Sequence, residues 1–286
     1  MKISTEIGAA SEIVGEEKAI EYVAKAGFDA WDFSMFGMCR YDRKNDLVLE
    51  NDHPLSGPRY LEFARKLKAV GLDNGIICNQ AHAPYPSCTP KVRTYFRRAI
   101  ECAAEAGAEI LVIHPDDVSP EENREMYMEI LPFAKECGVK IATENMWNWD
   151  NEKDIAFFAA CATPESFNAH LDAVNDSFFT ACLDIGHAEM MGEGVSAVDM
   201  IHKLGKRLTA LHIHDNNKRY DCHQIPFSMD INFEEIVKAL KEIDYRGYFT
   251  LEAGNYLKRF DADNVFQGIV DLKNSVRRLA DMFEAM

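Results

Sequence analysis

The chain is poor in basic charge. Its 31 lysines and arginines face 47 acidic residues, a formal net charge of −16 over 286 residues. Such a field repels phosphate backbones and anionic membranes, and no Lys/Arg cluster forms a local basic groove. Neither nucleic acid nor a membrane surface is therefore an expected partner. No 18 apolar residues run together, and the opening MKISTEIGAASEIVGEE has no apolar core of the signal-peptide kind. The expected location is cytoplasmic. The eight cysteines contain no CxxC and no close pair, which argues against a disulfide framework and for reduced, mostly buried thiols. A GxGxxG loop is also missing: GAASEIVGEE follows the first strand, which weakens the case for a doubly wound nucleotide-binding sheet.

What the sequence does hold is one unit repeated eight times: amphipathic helix, glycine turn, short strand, polar residue. The expected strands cover 2–7, 30–33, 75–79, 110–114, 139–144, 179–184, 208–212 and 248–252. The hinges AGFDAWDF, AGAEILVIH and CGVKIATEN each put glycine just past a helix end. Ser119-Pro120-Glu121-Glu122 reads as a helix start, with a capping residue, proline at the first helical position and an acid three residues on. Thr89-Pro90 and Thr163-Pro164 repeat the cap-and-proline signal. Over 232–243, Phe233, Ile236, Val237, Leu240 and Ile243 share one helical face. Strand and helix alternating eight times, with nothing left over for a second domain, point to a single (β/α)8 barrel over 1–286. The segments 34–56 and 145–162 read as long loops.

Strand alternation then sorts the side chains into two faces. Ile141, Leu183, Leu211 and Leu251 are large and suit the helix-facing side. Ala142, Cys182, Ala210 and Thr250 are small or polar and suit the interior. That inner face ends in Glu144, Asp184, His212 and Glu252, at the carboxyl ends of strands five to eight, where barrel enzymes carry their chemistry. Three carboxylates and an imidazole converging there repel one another without a cation. A divalent ion resolves this, and a set of three oxygens and one nitrogen suits Mn2+ first, with Mg2+, Co2+ and Zn2+ as alternatives. Trp31 and Phe33 read as core, and Phe36 and Met38 as a wall by the mouth.

The stretch LHIHDNNKRYDCHQ at 211–224 concentrates His212, His214, Asp215, Asp221 and His223. Parity selects His212 as a ligand. His214 and Asp215 lie past the strand and are expected to shape the loop. Asp221 and His223 reach the pocket if the loop folds back. With His82, His114 and His187, they are candidates for a second or third ion, for substrate contact or for a structural role. The loop NMWNWDN presents Trp147 and Trp149, either to the cavity or to neighbouring helices, and Lys218 and Arg219 either touch a ligand or are solvated at the surface.

HAPYP at 82–86, LVIHP at 111–115, TEN at 143–145, LDIGHA at 183–188, HIHDN at 212–216, DCH at 221–223 and Glu252 in TLEA together resemble the xylose-isomerase-like TIM barrels. That superfamily includes sugar isomerases, ketose 3-epimerases, inosose-processing enzymes and endonuclease IV. The ketose epimerases imply Glu144, Asp184, His212 and Glu252 as metal ligands, with Glu144 and Glu252 as the proton-transferring pair. The endonuclease pattern implies a trinuclear zinc set of His82, His114, Glu144, Asp184, His187, His212, Asp221, His223 and Glu252. The acidic surface favours the sugar branch. The resulting expectation is a metal-dependent isomerase or epimerase acting on a small sugar or polyol, with Trp147 and Arg219 touching substrate. A zinc nuclease and a lyase or dehydratase for an inosose or oxidised glycoside remain alternatives. Assembly as a homo-oligomer is left open.

Overall fold

The computed structural model describes residues 1–192 and 194–286. Eight parallel strands form the barrel wall: β1 Ile3–Thr5, β2 Ala30–Ser34, β3 Ile77–His82, β4 Ile110–Val112, β5 Lys140–Glu144, β6 Phe179–Asp184, β7 Leu208–His212 and β8 Phe249–Leu251. Strands β2 to β7 pair in sequence order as one sheet, and β8 pairs with β1. Bridges between Glu6 and Asp32 and between Ile213 and Leu251 join the two pieces. The backbone bonds Ile7 N–H to Asp32 O, 3.3 Å, and Ile213 N–H to Thr250 O, 2.9 Å, secure the joins. This is a (β/α)8 barrel. Helices from Glu16–Ala26 round to Val265–Ala285 form the outer ring, the last packing back on the first.

The side-chain parity is as the alternation requires. Ile141, Leu183, Leu211 and Leu251 belong to the large cluster between sheet and helices. Val112, Ala142, Cys182 and Ala210 form a separate small cluster inside the barrel. Trp31 and Phe33 are fully buried core residues. Ser119 accepts from the Glu122 backbone while the Glu122 carboxylate accepts from the Ser119 N–H, a complete capping box at Pro120–Cys137. Gly107 and Gly138 close their helices in the left-handed region, at φ 90° and 72°, where a Cβ is unfavourable.

Two expectations need correction. The third strand runs over Ile77–His82, not 75–79, because Gly75 at φ 80° still belongs to the turn after Tyr60–Asp73. His82 thus ends a strand instead of following one. The segments 34–56 and 145–162 are not simple loops: they hold the antiparallel hairpins Arg40–Asp42 with Leu47–Leu49 and Trp147–Asp150 with Ile155–Phe158. All eight cysteines are free, and five of them are buried. Among the described residues no helix is long and apolar enough to cross a membrane.

Candidate metal centre

The register of β5, β6 and β7 sets Cys182 beside Glu144 and Asp184 beside His212. Glu252 follows β8, its N–H bonded to Ile213 O at 3.0 Å. One donor atom from each of Glu144, Asp184, His212 and Glu252 falls within 4.8 Å of the other three. His212 Nδ1 lies 3.1 Å from both Glu144 Oε2 and Glu252 Oε2. Donors bound to one cation at about 2.0–2.2 Å stand roughly 3 Å apart, a spacing that the His212–Glu144 and His212–Glu252 pairs match.

Two further groups adjoin it. His82 and His114 meet at 2.9 Å through their Nε2 atoms, with Glu144 Oε2 at 3.7 and 3.5 Å. On the other side His187, His214, Asp221 and His223 gather. Asp221 Oδ2 is 3.6 Å from His187 Nε2 and 3.1 Å from His223 Nε2, and Asp221 Oδ1 is 3.4 Å from His214 Nε2. The loop after β7 therefore does fold back, held by the reciprocal backbone pair Asp215–Gln224. Asp215 shapes this loop, accepting backbone N–H groups of Asn216, Ser228, Met229 and Ile231. His214, expected to share that role, is instead fully buried in the cluster, 3.2 Å from Asp184 Oδ1. The reason is a glycine opposite it: Gly186 leaves room for the ring.

The electrostatics describe anions and imidazoles that balance one another. Burial alone would push the Glu144 carboxyl up, yet His212, His114 and His82 hold it well below its ordinary range. Burial disfavours the charged form of His212, but the carboxylates of Glu252, Glu144 and Asp32 keep it well above the usual value. Burial pushes the Cys182 thiol up to about 12. Asp221 is held far below its range against the cost of burial by His187 and His223, and the Asp221 carboxylate holds His223 up at about 10 despite burial. Glu144 Oε2, Asp184 Oδ2, Asp221 Oδ1, His214 Nε2 and both nitrogens of His212 are buried without a hydrogen-bond partner. So many orphaned donors are costly in a protein interior unless a cation receives them. The donor set fits a divalent ion, whose binding would displace protons from the imidazoles.

The centre opens into a cavity of about 1100 Å3 lined by Trp147, Trp149, Phe36 and Tyr85 among others. Trp147 stands edge-on to His187 at 6.3 Å. Arg219 is not among the lining residues; its guanidinium is bonded to Asp154 at the hairpin tip, and its carbon sits over the Tyr220 ring. Lys218 points to Glu189. Three polar residues escaped the sequence reading. Glu6 lines the cavity, and burial followed by the charges of Glu252 and Asp32 pushes its carboxyl up to about 7. Asp32 is fully buried beside His212, and buried Asn145 exchanges hydrogen bonds with the backbone of Asp184. Parity along β2 carries the signal for Asp32, since Trp31 and Phe33 occupy the opposite face.

The family model described as a xylose isomerase-like TIM barrel matches residues 20–282. An uncharacterized protein of Methanocaldococcus jannaschii is 27% identical over 275 residues, covering 90% of this chain and 85% of the relative. Among solved structures, a D-tagatose 3-epimerase-like protein superposes with a TM-score of 0.72 at 23% identity, covering 100% of this chain and 99% of its own. A D-psicose 3-epimerase determined in the presence of D-fructose gives a TM-score of 0.71 at 18% identity, with 99% of both chains covered.

Proposed function

The chain belongs to the xylose isomerase-like TIM barrel family, and from that premise we propose that it is a divalent-metal-dependent isomerase or epimerase of a small sugar or polyol. The observation that carries the reading is the meeting of Glu144, Asp184, His212 and Glu252, from four successive strand ends, with donor atoms within 4.8 Å of one another beside a large cavity that Glu144 and Glu252 line. The likeness in fold to ketose 3-epimerases supports it.

A divalent ion held by Glu144, Asp184, His212 and Glu252 would supply a Lewis acid there, with Mn2+ the first choice and Mg2+, Co2+ or Zn2+ the alternatives. The protein's own groups move the proton. Glu144 and Glu252 each place one oxygen beside His212 Nδ1, leaving the rest of each carboxyl for substrate. One carboxylate takes the proton from the carbon next to the carbonyl, and the electron pair shifts to the carbonyl oxygen. The other carboxyl, in its acid form, returns a proton to the opposite face of that carbon or to its neighbour. The first outcome is epimerisation and the second is aldose–ketose exchange. Trp147 offers an aromatic wall for the apolar face of the sugar.

A second reading is favoured by one observation: the donors of an endonuclease-type set, including His82, His114, His187, Asp221 and His223, all lie in adjoining groups. The cavity itself weighs against a polyanion, since Glu6, Glu12, Glu16, Asp116 and Asp117 line it alongside Arg40, Arg43 and Lys258. A lyase or dehydratase would begin with the same proton abstraction. The deciding experiment is incubation with ketoses in D2O after metal analysis. Deuterium is expected at the carbon beside the carbonyl, dependent on the metal and abolished in Glu252→Gln. Cleavage of abasic DNA without any sugar exchange would overturn the proposal.

A further inference from the structure

His212 is oriented differently from the other imidazoles of the centre. His82, His187 and His223 give their Nδ1–H to backbone carbonyls of Ala83, Asn145 and Glu252 at 2.9, 2.9 and 2.6 Å, and His214 points Nδ1 to Asp215 O at 3.5 Å. Each of these rings presents Nε2 to its neighbours. His212 is reversed. Its Nδ1 faces Glu144 and Glu252, and its Nε2 faces the carboxylate of Asp32, 3.5 Å from Oδ2.

Asp32 is fully buried, and so is its support. Gln80 Nε2 donates to Asp32 Oδ2 at 2.9 Å. Gln80 Oε1 accepts from Thr250 Oγ1 at 3.2 Å and from Asn79 Nδ2 at 3.3 Å, while Asn79 Oδ1 accepts from Ser4 Oγ at 2.6 Å. Four strands thus contribute to a polar column in a barrel interior that ordinarily fills with branched apolar side chains. Among the described residues Asp32 Oδ1 has no hydrogen-bond partner. A buried carboxylate with one neutral donor is expensive unless positive charge lies close by. The nearest group able to carry or relay that charge is the imidazole of His212.

We infer that Asp32, held by Gln80, is a positioning residue that fixes His212 with Nε2–H toward itself and the Nδ1 lone pair toward the metal site, and so sets the affinity of that site. An anionic partner makes the ring a stronger donor than a backbone carbonyl does. His82, His187, His214 and His223 each take a carbonyl partner, but the ring at the centre of the four-donor group has a carboxylate of its own.

The inference rests on the metal-site reading given above, and the test separates the two. Mn2+ affinity is measured on the full chain by competition with a fluorescent chelator for wild type, Asp32→Asn, Gln80→Met and His212→Asn. His212→Asn is expected to abolish tight binding. Asp32→Asn is expected to weaken it ~10–100-fold, the usual effect of removing a partner behind a ligand, with the metal-free thermal midpoint retained, and Gln80→Met to weaken it less. If His212→Asn leaves Mn2+ binding intact, the metal reading itself fails. If His212→Asn abolishes binding while Asp32→Asn binds as tightly as wild type, the positioning role is overturned. Should Asp32→Asn not fold, 15N histidine spectra of the unaltered metal-loaded protein decide. A His212 proton on Nε2 sustains the inference, and one on Nδ1 ends it.

Discussion

The imidazole of His214 lies so close to Gly186 that a Cβ on the glycine would stand 1.9 Å from Cε1. The other face of the ring stacks on His223 with centroids 4.1 Å apart. Gly186 therefore acts by size, since it is the absent side chain that lets His214 enter the centre. Gly186→Ala must expel the ring or move the short helix Ile185–Glu189, which carries His187. A loss of roughly 2–4 kcal/mol in urea unfolding is expected, at or above the usual range for overpacking, together with weaker metal retention. An alanine variant as stable as wild type would show that the ring has another place to go.

That contact also marks how far the sequence carried. The barrel was legible because helix-period and strand-period segments alternate with capping signals at their joins, as at Ser119 and Gly138. Glu144, Asp184 and His212 were legible because each ends an inner-face register one strand after the last. His214 was misjudged for a physical reason: distance along the chain from the strand end says nothing about a void made by a glycine 28 residues earlier. Asp32 is legible in the same way, since Ala30, Asp32 and Ser34 alternate with Trp31 and Phe33. The two hairpins at the mouth were missed because their strands are three or four residues long, and Leu47–Leu49 and Ile155–Phe158 leave apolar side chains exposed. No core-facing period exists in them to read.

Removing the metal should destabilise the protein as well as silence it. Glu144 and Asp184 keep buried oxygens without partners, so the folded state favours a bound cation that the unfolded chain does not hold. A ligand at a hundred times its dissociation constant contributes about 2.7 kcal/mol, which for a chain of this size corresponds to on the order of 5–10 °C in Tm. Thermal unfolding before and after dialysis against a chelator, followed by restoration with Mn2+, measures this. Equal midpoints with and without metal would contradict the coordination reading.

Glu6 makes a pH prediction whose sign is unusual for a carboxyl. Burial first, then the negative charges of Glu252 and Asp32, pushes it from 4.5 up to about 7. Below 4.5 both folded and unfolded chains hold the proton, so the group is neutral to stability there. Between 4.5 and about 7 the unfolded chain ionises while the folded chain does not, and stability falls as pH rises. At 1.36 kcal/mol per pKa unit, discounted for the partial exposure of the side chain, the loss is on the order of 1–3 kcal/mol. Metal-free Glu6→Gln should lose less stability than metal-free wild type across this window. Parallel stability-versus-pH curves would refute the assignment.

Trp147 and Arg219 began as equal candidates for substrate contact, and their surroundings now set them apart. Trp147 is half-buried in the cavity wall beside His187, so removing its ring opens the pocket without touching any donor. Arg219 spends its guanidinium on Asp154, on an exposed hairpin tip. Each 1.4 kcal/mol of lost contact is tenfold in binding, and burial of a large aromatic face contributes about 1.5–3 kcal/mol. Trp147→Ala is therefore expected to raise KM for the active sugar by ~10–100-fold with metal content unchanged. Arg219→Ala should leave KM within about twofold, because an exposed ion pair contributes only ~0–1 kcal/mol even to its own hairpin. Steady-state kinetics on both variants, with metal quantified in each, test the pair together. A large KM effect at Arg219 would mean that the hairpin closes over the substrate and brings Tyr220 and Asp154 with it.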